Sequence, residues 1–438
     1  MFIIAYVSFI VLLGGCILLH HYMFKRHPQT SINNPAFVTF QRGYLLVYYL
    51  AIMADWLQGP YLYKLYSHYG FLEPQIAVLY VCGYASNVLF STFTPLMTQT
   101  FGRKKVIIFF TLVYSVCCIT KISRVYGVLI VGRILGGAST ALLFAAFEAW
   151  YVHEHVDTNE FPQEWLTDTF SKSSLASGII AVTAGVLTEI LTEWWSLGPV
   201  APFIAAIPFL VAAGGIVLSQ WAENYGTSKV RFKPMCMEGL KHILSDVKVL
   251  LIGLAQSLVE SVVCVFVFLW TPVLSPAGPP LGIVFANFMV STMIGGVVCS
   301  LLTIHQWKPP QILLLATSLA SIALFAAVVF ASHPRVSYLA YLVLELCCGM
   351  YFSSMSQARK EILPEPHHTA VLNWFRVPLN LTAALVILLL HDTSSGAPEI
   401  FSVCTVLMGT AAVVIGHFVW KYKQTEAESS DKVDSADI

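Results

Sequence analysis

The sequence predicts an all-α integral membrane protein: two six-helix bundles with pseudo-two-fold symmetry, preceded by one extra N-terminal transmembrane helix. Three observations predict it. The 438 residues are 57% hydrophobic and 11% charged, whereas soluble domains carry about 25% charged residues, so lipid must take up the apolar surface. Apolar runs of about 17–25 residues, long enough to cross a bilayer, recur along the chain. The cations between those runs divide unequally between alternate sides.

The runs lie at 2–22, 43–65, 75–98, 105–122, 126–150, 171–192, 200–220, 248–272, 282–304, 311–331, 336–357, 369–390 and 400–420. The first lacks the basic start and small-residue cleavage site of a signal peptide. Lys25 and Arg26 follow it, so it reads as an uncleaved anchor with its N-terminus outside. Residues 23–42 then form a cytoplasmic linker, 43–220 the N-terminal bundle and 248–420 the C-terminal bundle. The longest connection, 221–247, is a cytoplasmic central loop, and the polar tail 421–438 is expected to be disordered. Of the 24 Lys and Arg, eighteen fall on the side of the 23–42 linker. Four (Lys64, Lys121, Arg124 and Arg335) fall on the other, and Arg133 and Arg376 lie within spans. This asymmetry places the C-terminus in the cytoplasm.

Composition also excludes classes. The formal charge is zero, so no basic excess points to nucleic acid. The ten cysteines sit in apolar runs apart from Cys236, which is not a disulfide framework. Cys117–Cys118 and Cys347–Cys348 lack metal-ligand spacing, and no nucleophile constellation or phosphate-cradling glycine loop appears. No cofactor or metal is expected, and the chain does not read as an enzyme. Asn380-Leu381-Thr382 lies inside a span and is not expected to carry a glycan.

The charges inside spans carry the chemistry. Thr369, Asn373, Arg376 and Asn380 fall within about 60° on one side of a helix. A cation at bilayer depth costs about 2.5 kcal/mol or several times that, so Arg376 must face protein or water. One guanidinium flanked by two carboxamides suits an oxyanion. The competing reading is a helix lock through a buried carboxylate. Asp55 precedes Gln58 and Gly59-Pro60, where a bend or broken helix is expected. Arg133 opens a stretch in which Gly137, Thr140 and Glu148 follow on roughly the same side. The small run 136–140 admits a close helix neighbour. Glu148, with His153, Glu154 and His155 beyond it, reads as a solvated helix end, the alternative being a cytoplasmic gate or proton access. Glu260 and Glu345 have no cation on their own helices. Asp55, Glu260 and Glu345 against Arg133 and Arg376 leave one carboxylate over, a candidate proton carrier. Asp55 and Glu260 sit mid-span in the first and seventh core helices, and Gly132-Arg133-x-x-Gly136-Gly137 in the fourth lies at a place similar to Glu345-x-x-x-Gly349 in the tenth, as a repeat about an axis along the membrane normal would produce.

The stretch Phe101-Gly102-Arg103-Lys104-Lys105 resembles the end of the loop motif of the major facilitator superfamily, with Gln99 where an Asp is usual and Pro95 where a Gly is usual. The Asp-dependent charge lock of that loop is therefore not expected here. The stretches ADWLQGPYLYKLY, GRILGGASTALLFAAFEAWYVHEH, GPVAPFIAAIP, FVFLWTPVL and LNWFRVPL resemble the molybdate-anion transporter family within it. The resemblance implies a plasma-membrane carrier for molybdate; alternating access by rocking of the two bundles is the mechanism expected for it. It assigns no binding residues. From the residue reading, Arg376, Asn373 and Asn380 hold the oxyanion, with Arg133, Thr140 and Gln58 from the other bundle. Asp55, Glu260, Glu345 or Glu148 would move protons or gate. The expected partners are a small oxyanion, protons and the bilayer, with a monomer as the unit. Carriage of sulfate or a small organic solute, or a non-transporting receptor on the same scaffold, stand as alternatives.

Overall fold

The computed structural model describes residues 1–26, 32–225, 232–363, 368–389 and 397–434, and every regular element among them is helical. Helix α1 spans Phe2–Arg26. Helix α2, Pro35–Trp56, begins eight residues before the expected run because Asn34 caps it, accepting from the amides of Ala36 and Phe37 at 3.0 and 3.2 Å. Pro35 sits at its first turn, where a missing N–H costs nothing. The chain leaves the helix at residue 57, turns through Gly59-Pro60 and resumes as α3, Leu62–His68. The break expected there is therefore present.

There follow α4 (Glu73–Phe101), α5 (Arg103–Thr120), α6 (Tyr126–His153), α7 (Trp165–Glu189) and α8 (Ala201–Gln220). Then come α9 (Phe232–Ser245), α10 (Val247–Leu274), α11 (Leu281–Ile304), α12 (Pro309–Val329), α13 (Pro334–Ile362), α14 (His368–Leu389) and α15 (Ala397–Asp434). The central connection thus contains a helix, α9, rather than loop throughout. Residues 421–434, expected to be disordered, extend α15. Among the described residues, twelve helices are long and apolar enough to cross a membrane, and the chain is a multi-pass membrane protein. The remaining expected span, 105–122, corresponds to α5. It starts at Arg103 and includes Lys104 and Lys105, so its eighteen residues are too charged to meet the same test.

The helices group into two compact units. Unit 1 comprises Met1–Gly14, Phe24–Arg231 and Leu274–Val290; unit 2 comprises Gly15–Met23, Phe232–Val273 and Ser291–Ile438. In unit 1, α4 packs along α6, and α5 lies against α6 and α8. Small residues permit the α4–α6 approach: a Cβ on Gly137 would collide with the Gly83 carbonyl, and Ser86 donates to the Ile134 carbonyl at 2.6 Å. This is the close neighbour expected for the 136–140 run. Helix α6 also exposes Val131 and Ile134, as a lipid-facing stripe requires. The core of unit 1 is strongly aromatic near α2 and α8; Trp150 stacks on Trp221 with centroids 3.7 Å apart. In unit 2, α12 packs on α13 and α15, and α14 packs on α9.

Candidate functional site

Unit 2 gathers its polar groups where α10, α13 and α14 meet. Gly253 on α10 leaves space filled by the Phe375 ring, and Ser257 donates to the Phe375 carbonyl at 3.2 Å. These contacts bring the α14 residue Arg376 alongside α10. The carboxylate of Glu260 lies within electrostatic reach of both Arg376 and Arg359. Arg359 donates to Gln256 Oε1 at 3.2 Å, and the Tyr351 hydroxyl donates to Glu260 Oε1 at 3.5 Å. Pro378 removes a backbone donor two residues beyond Arg376 and loosens the helix there.

Two guanidiniums thus face one carboxylate, leaving a net positive cluster among apolar helices. Among the described residues, no ion pair within 4 Å involves Arg376. The helix lock considered from sequence is therefore not formed by direct contact. The side-chain nitrogen of Asn373 is buried without a hydrogen-bond partner among the described residues, and Asn380 donates to the Arg376 carbonyl at 2.8 Å. The side chain of Thr369 lies outside the described residues. Glu345 sits apart, buried on α13, accepting from Thr292 at 2.8 Å.

In unit 1, Asp55 accepts from the Tyr114 hydroxyl at 2.5 Å. The carboxylates were expected to neutralise the span cations, leaving one over; instead Asp55 and Glu345 take hydroxyl donors. Gln58 donates to Ala54 and Thr140 to Gly136, both on their own backbone. Arg133 turns toward α4, where its Nε donates to the Leu79 carbonyl at 3.1 Å. Glu148 is exposed on α6, with Tyr44 and Tyr48 as electrostatic neighbours.

The reading of 153–155 as a solvated end needs correction. Glu154 and His155 are buried, because a π-helical turn at Glu154–Thr158 folds the chain back and Phe37, Phe40 and Phe161 pack over the imidazole. Glu154 Oε1 accepts from Asn224 at 2.8 Å, and Asn224 Oδ1 accepts from Arg103 at 3.2 Å.

Sequence reasoning missed three groups. Arg359 was counted as a loop cation, yet α13 continues to Ile362 and carries it to Gln256; the 29-residue length of that helix was the available signal. Lys121 was counted as a loop cation too, but is buried. Glu189 lies near the end of a run and is buried, accepting from Tyr61 at 3.0 Å and from the Gly282 amide at 2.9 Å.

The chain is similar to known proteins over most of its length. Residues 4–349 match a family described as sugar transporters with 12 transmembrane segments. A zebrafish (Danio rerio) protein named molybdate-anion transporter is 45% identical, covering 95% of each chain. A Takifugu rubripes protein of the same name is 44% identical, again over 95% of each. A Xenopus laevis protein of that name is 44% identical over 88% of this chain and 87% of its own. Two solved structures share the fold at about a tenth identity. The nucleoside transporter NupG gives a TM-score of 0.67 at 9% identity, over 88% of this chain and 99% of its own. The D-xylose–proton symporter gives 0.66 at 10% identity, over 88% and 98%.

Proposed function

We propose, since the chain belongs to the molybdate-anion transporter family of the major facilitator superfamily, that it is a secondary transporter taking up molybdate by alternating access. It works in the plasma membrane as a monomer, with its N-terminus outside and its C-terminus cytoplasmic. The cation count along the chain favours this orientation.

The observation that carries the reading is Arg376. A guanidinium among membrane helices, with a second one and the Glu260 carboxylate within electrostatic reach, offers net charge and paired donors to an oxyanion. Arg376, Asn373 and Asn380 hold molybdate, and Arg359 adds to the field. In unit 1, Arg133, Thr140 and Gln58 supply further polar groups that the anion meets.

Molybdate is a tetrahedral dianion. Moving two negative charges inward against −100 mV costs about 4.6 kcal/mol at about 2.3 kcal/mol per charge. Two accompanying protons make the step electroneutral, and three let the potential drive it. Asp55, Glu260 and Glu345 are the proton sites, and Glu148 serves in gating.

The test is uptake of radiolabelled molybdate into sealed proteoliposomes with imposed pH and voltage gradients. Wild-type protein is expected to accumulate molybdate, and Arg376→Gln to lose about tenfold or more in uptake. Near-normal uptake by a correctly inserted Arg376→Gln would remove this residue from the site. Full competition by sulfate or small organic acids with no molybdate accumulation would shift the cargo. Specific binding without any flux would make the protein a receptor.

A further inference from the structure

We propose that Lys121 and Arg133 form a second binding site, within unit 1, for a tetrahedral dianion of the molybdate or sulfate type. The ligand class rests on the transport reading; the site itself rests on its geometry. Lys121 follows α5 and is 1% exposed, although lysine is almost never fully buried unless paired. Its ammonium donates to the Tyr66 hydroxyl at 2.8 Å and lies 5.3 Å from the centre of that ring. That is its one side-chain hydrogen bond among the described residues, and an ammonium has three donors.

Arg133 stands beside it. The guanidinium carbon lies 5.1 Å from the centre of the Tyr80 ring, and Nε is fixed by the Leu79 carbonyl. Gly83 is what admits it: a Cβ at that position would stand 2.5 Å from Nη2. The terminal nitrogens of Arg133 have no hydrogen-bond partner among the described residues, and the residue keeps partial exposure. The principal electrostatic neighbours of Lys121 and Arg133 are Tyr66, Tyr80, Tyr84, Cys117 and Cys118, besides each other. No ion pair among the described residues includes either cation.

A buried and a half-buried like charge repel, and withdrawing them from water is costly unless each is paired. Here the partners are phenols, which give weak compensation. A dianion supplies two negative charges and four acceptor oxygens. It is matched by the fork of Arg133, the free donors of Lys121 and the neighbouring tyrosine hydroxyls. A monoanion would leave one cation uncompensated. On the orientation proposed above, Lys121 lies on the external side, so the site would load dianion from outside.

The test is equilibrium binding of radiolabelled molybdate to the purified full-length protein, run beside the proteoliposome assay. In an Arg376→Gln background, which disables the unit 2 cluster, residual molybdate binding is expected, displaced by sulfate. Adding Lys121→Met should weaken that residual binding about tenfold or more, and Lys121→Arg should restore most of it. Gly83→Ala, which changes no charge but fills the notch, should weaken it similarly; gel-filtration profile and melting temperature report that each variant is folded. Residual binding unmoved by both Lys121→Met and Gly83→Ala, or no residual binding in Arg376→Gln, overturns the site. If wild-type protein transports no molybdate yet Lys121→Met abolishes its binding, the site stands and the transport reading falls.

Discussion

Thr292 donates a hydrogen bond to Glu345 at 2.8 Å, one helical turn from where Gly349 presses so closely on the Thr292 carbonyl that a Cβ would overlap it. In unit 1 the same spacing recurs with the opposite charge. Arg133 bonds α4, and four residues on, Gly137 meets the Gly83 carbonyl. Each unit thus places one charged group and one glycine contact, four residues apart, against a neighbouring helix. A duplicated six-helix ancestor would leave this pattern, and its two charges have diverged in sign.

The glycine contacts give a packing prediction. Gly137→Leu and Gly349→Leu both force a side chain into backbone, and overpacking costs about 1–3 kcal/mol or more. Both should lower the melting temperature of the detergent-solubilised protein by several degrees. Gly215→Leu, at a position where a Cβ meets nothing within 4 Å, should leave it unchanged. Equal melting for all three would mean that these glycines do not set the helix approach.

The carboxylates divide by surroundings. Glu260 has two guanidiniums in electrostatic reach, while Asp55 and Glu345 take hydroxyl donors. Asp55→Asn and Glu345→Gln should therefore reduce uptake driven by a pH gradient about tenfold while sparing molybdate exchange at equal pH. Glu260→Gln should reduce pH-driven uptake as well and, unlike the other two, also change affinity at equal pH, because removing it alters the charge balance around Arg376. If all three variants lose exchange as fully as pH-driven uptake, none of them is a dedicated proton site.

Arg359 supplies a prediction invisible before the helix was seen. Arg359→Gln removes one of the two cations near Glu260 and breaks the bond to Gln256. The KM for molybdate should rise about tenfold with maximal uptake changed far less. An unchanged KM would make Arg359 a structural tie between α13 and α10.

The fold was largely legible because bilayer length and helical burial act on every span alike. The run 369–390 coincides closely with α14, and the Gly59-Pro60 break follows from proline chemistry that no tertiary contact had to supply. The polar clusters were less legible because partners come from elements far apart in the chain. Arg376 was visible on its own helix, but Arg359 reached the same cluster only because α13 runs past its apolar stretch. Lys121 was hidden for a similar reason: its burial is decided by Tyr66, 55 residues away. His155 shows the opposite error, since a charged-looking helix end is sealed by aromatic rings contributed by α2 and the 159–164 turn.

The basic loop at 102–105 is held without the usual acid at position 99. Asn224 accepts from Arg103 through both its backbone and its side chain, at 3.0 and 3.2 Å, and donates to Glu154 at 2.8 Å. Glu223 accepts from the Lys104 amide at 2.9 Å and lies where a Cβ on Gly102 would stand. Gly102 has φ of 91°, a conformation that glycine alone adopts readily. Asn224→Ala removes the side-chain bonds to Arg103 and Glu154 and leaves only the backbone carbonyl bonded to the Arg103 amide; each lost bond to a charged group is worth about 1.5–3 kcal/mol. Trypsin cleavage after Arg103, Lys104 or Lys105 should then accelerate at least severalfold in inside-out vesicles, with little cleavage there in right-side-out ones. Equal cleavage rates for wild type and variant would show that the 223–224 segment does not restrain the loop. Cleavage confined to right-side-out vesicles would reverse the orientation.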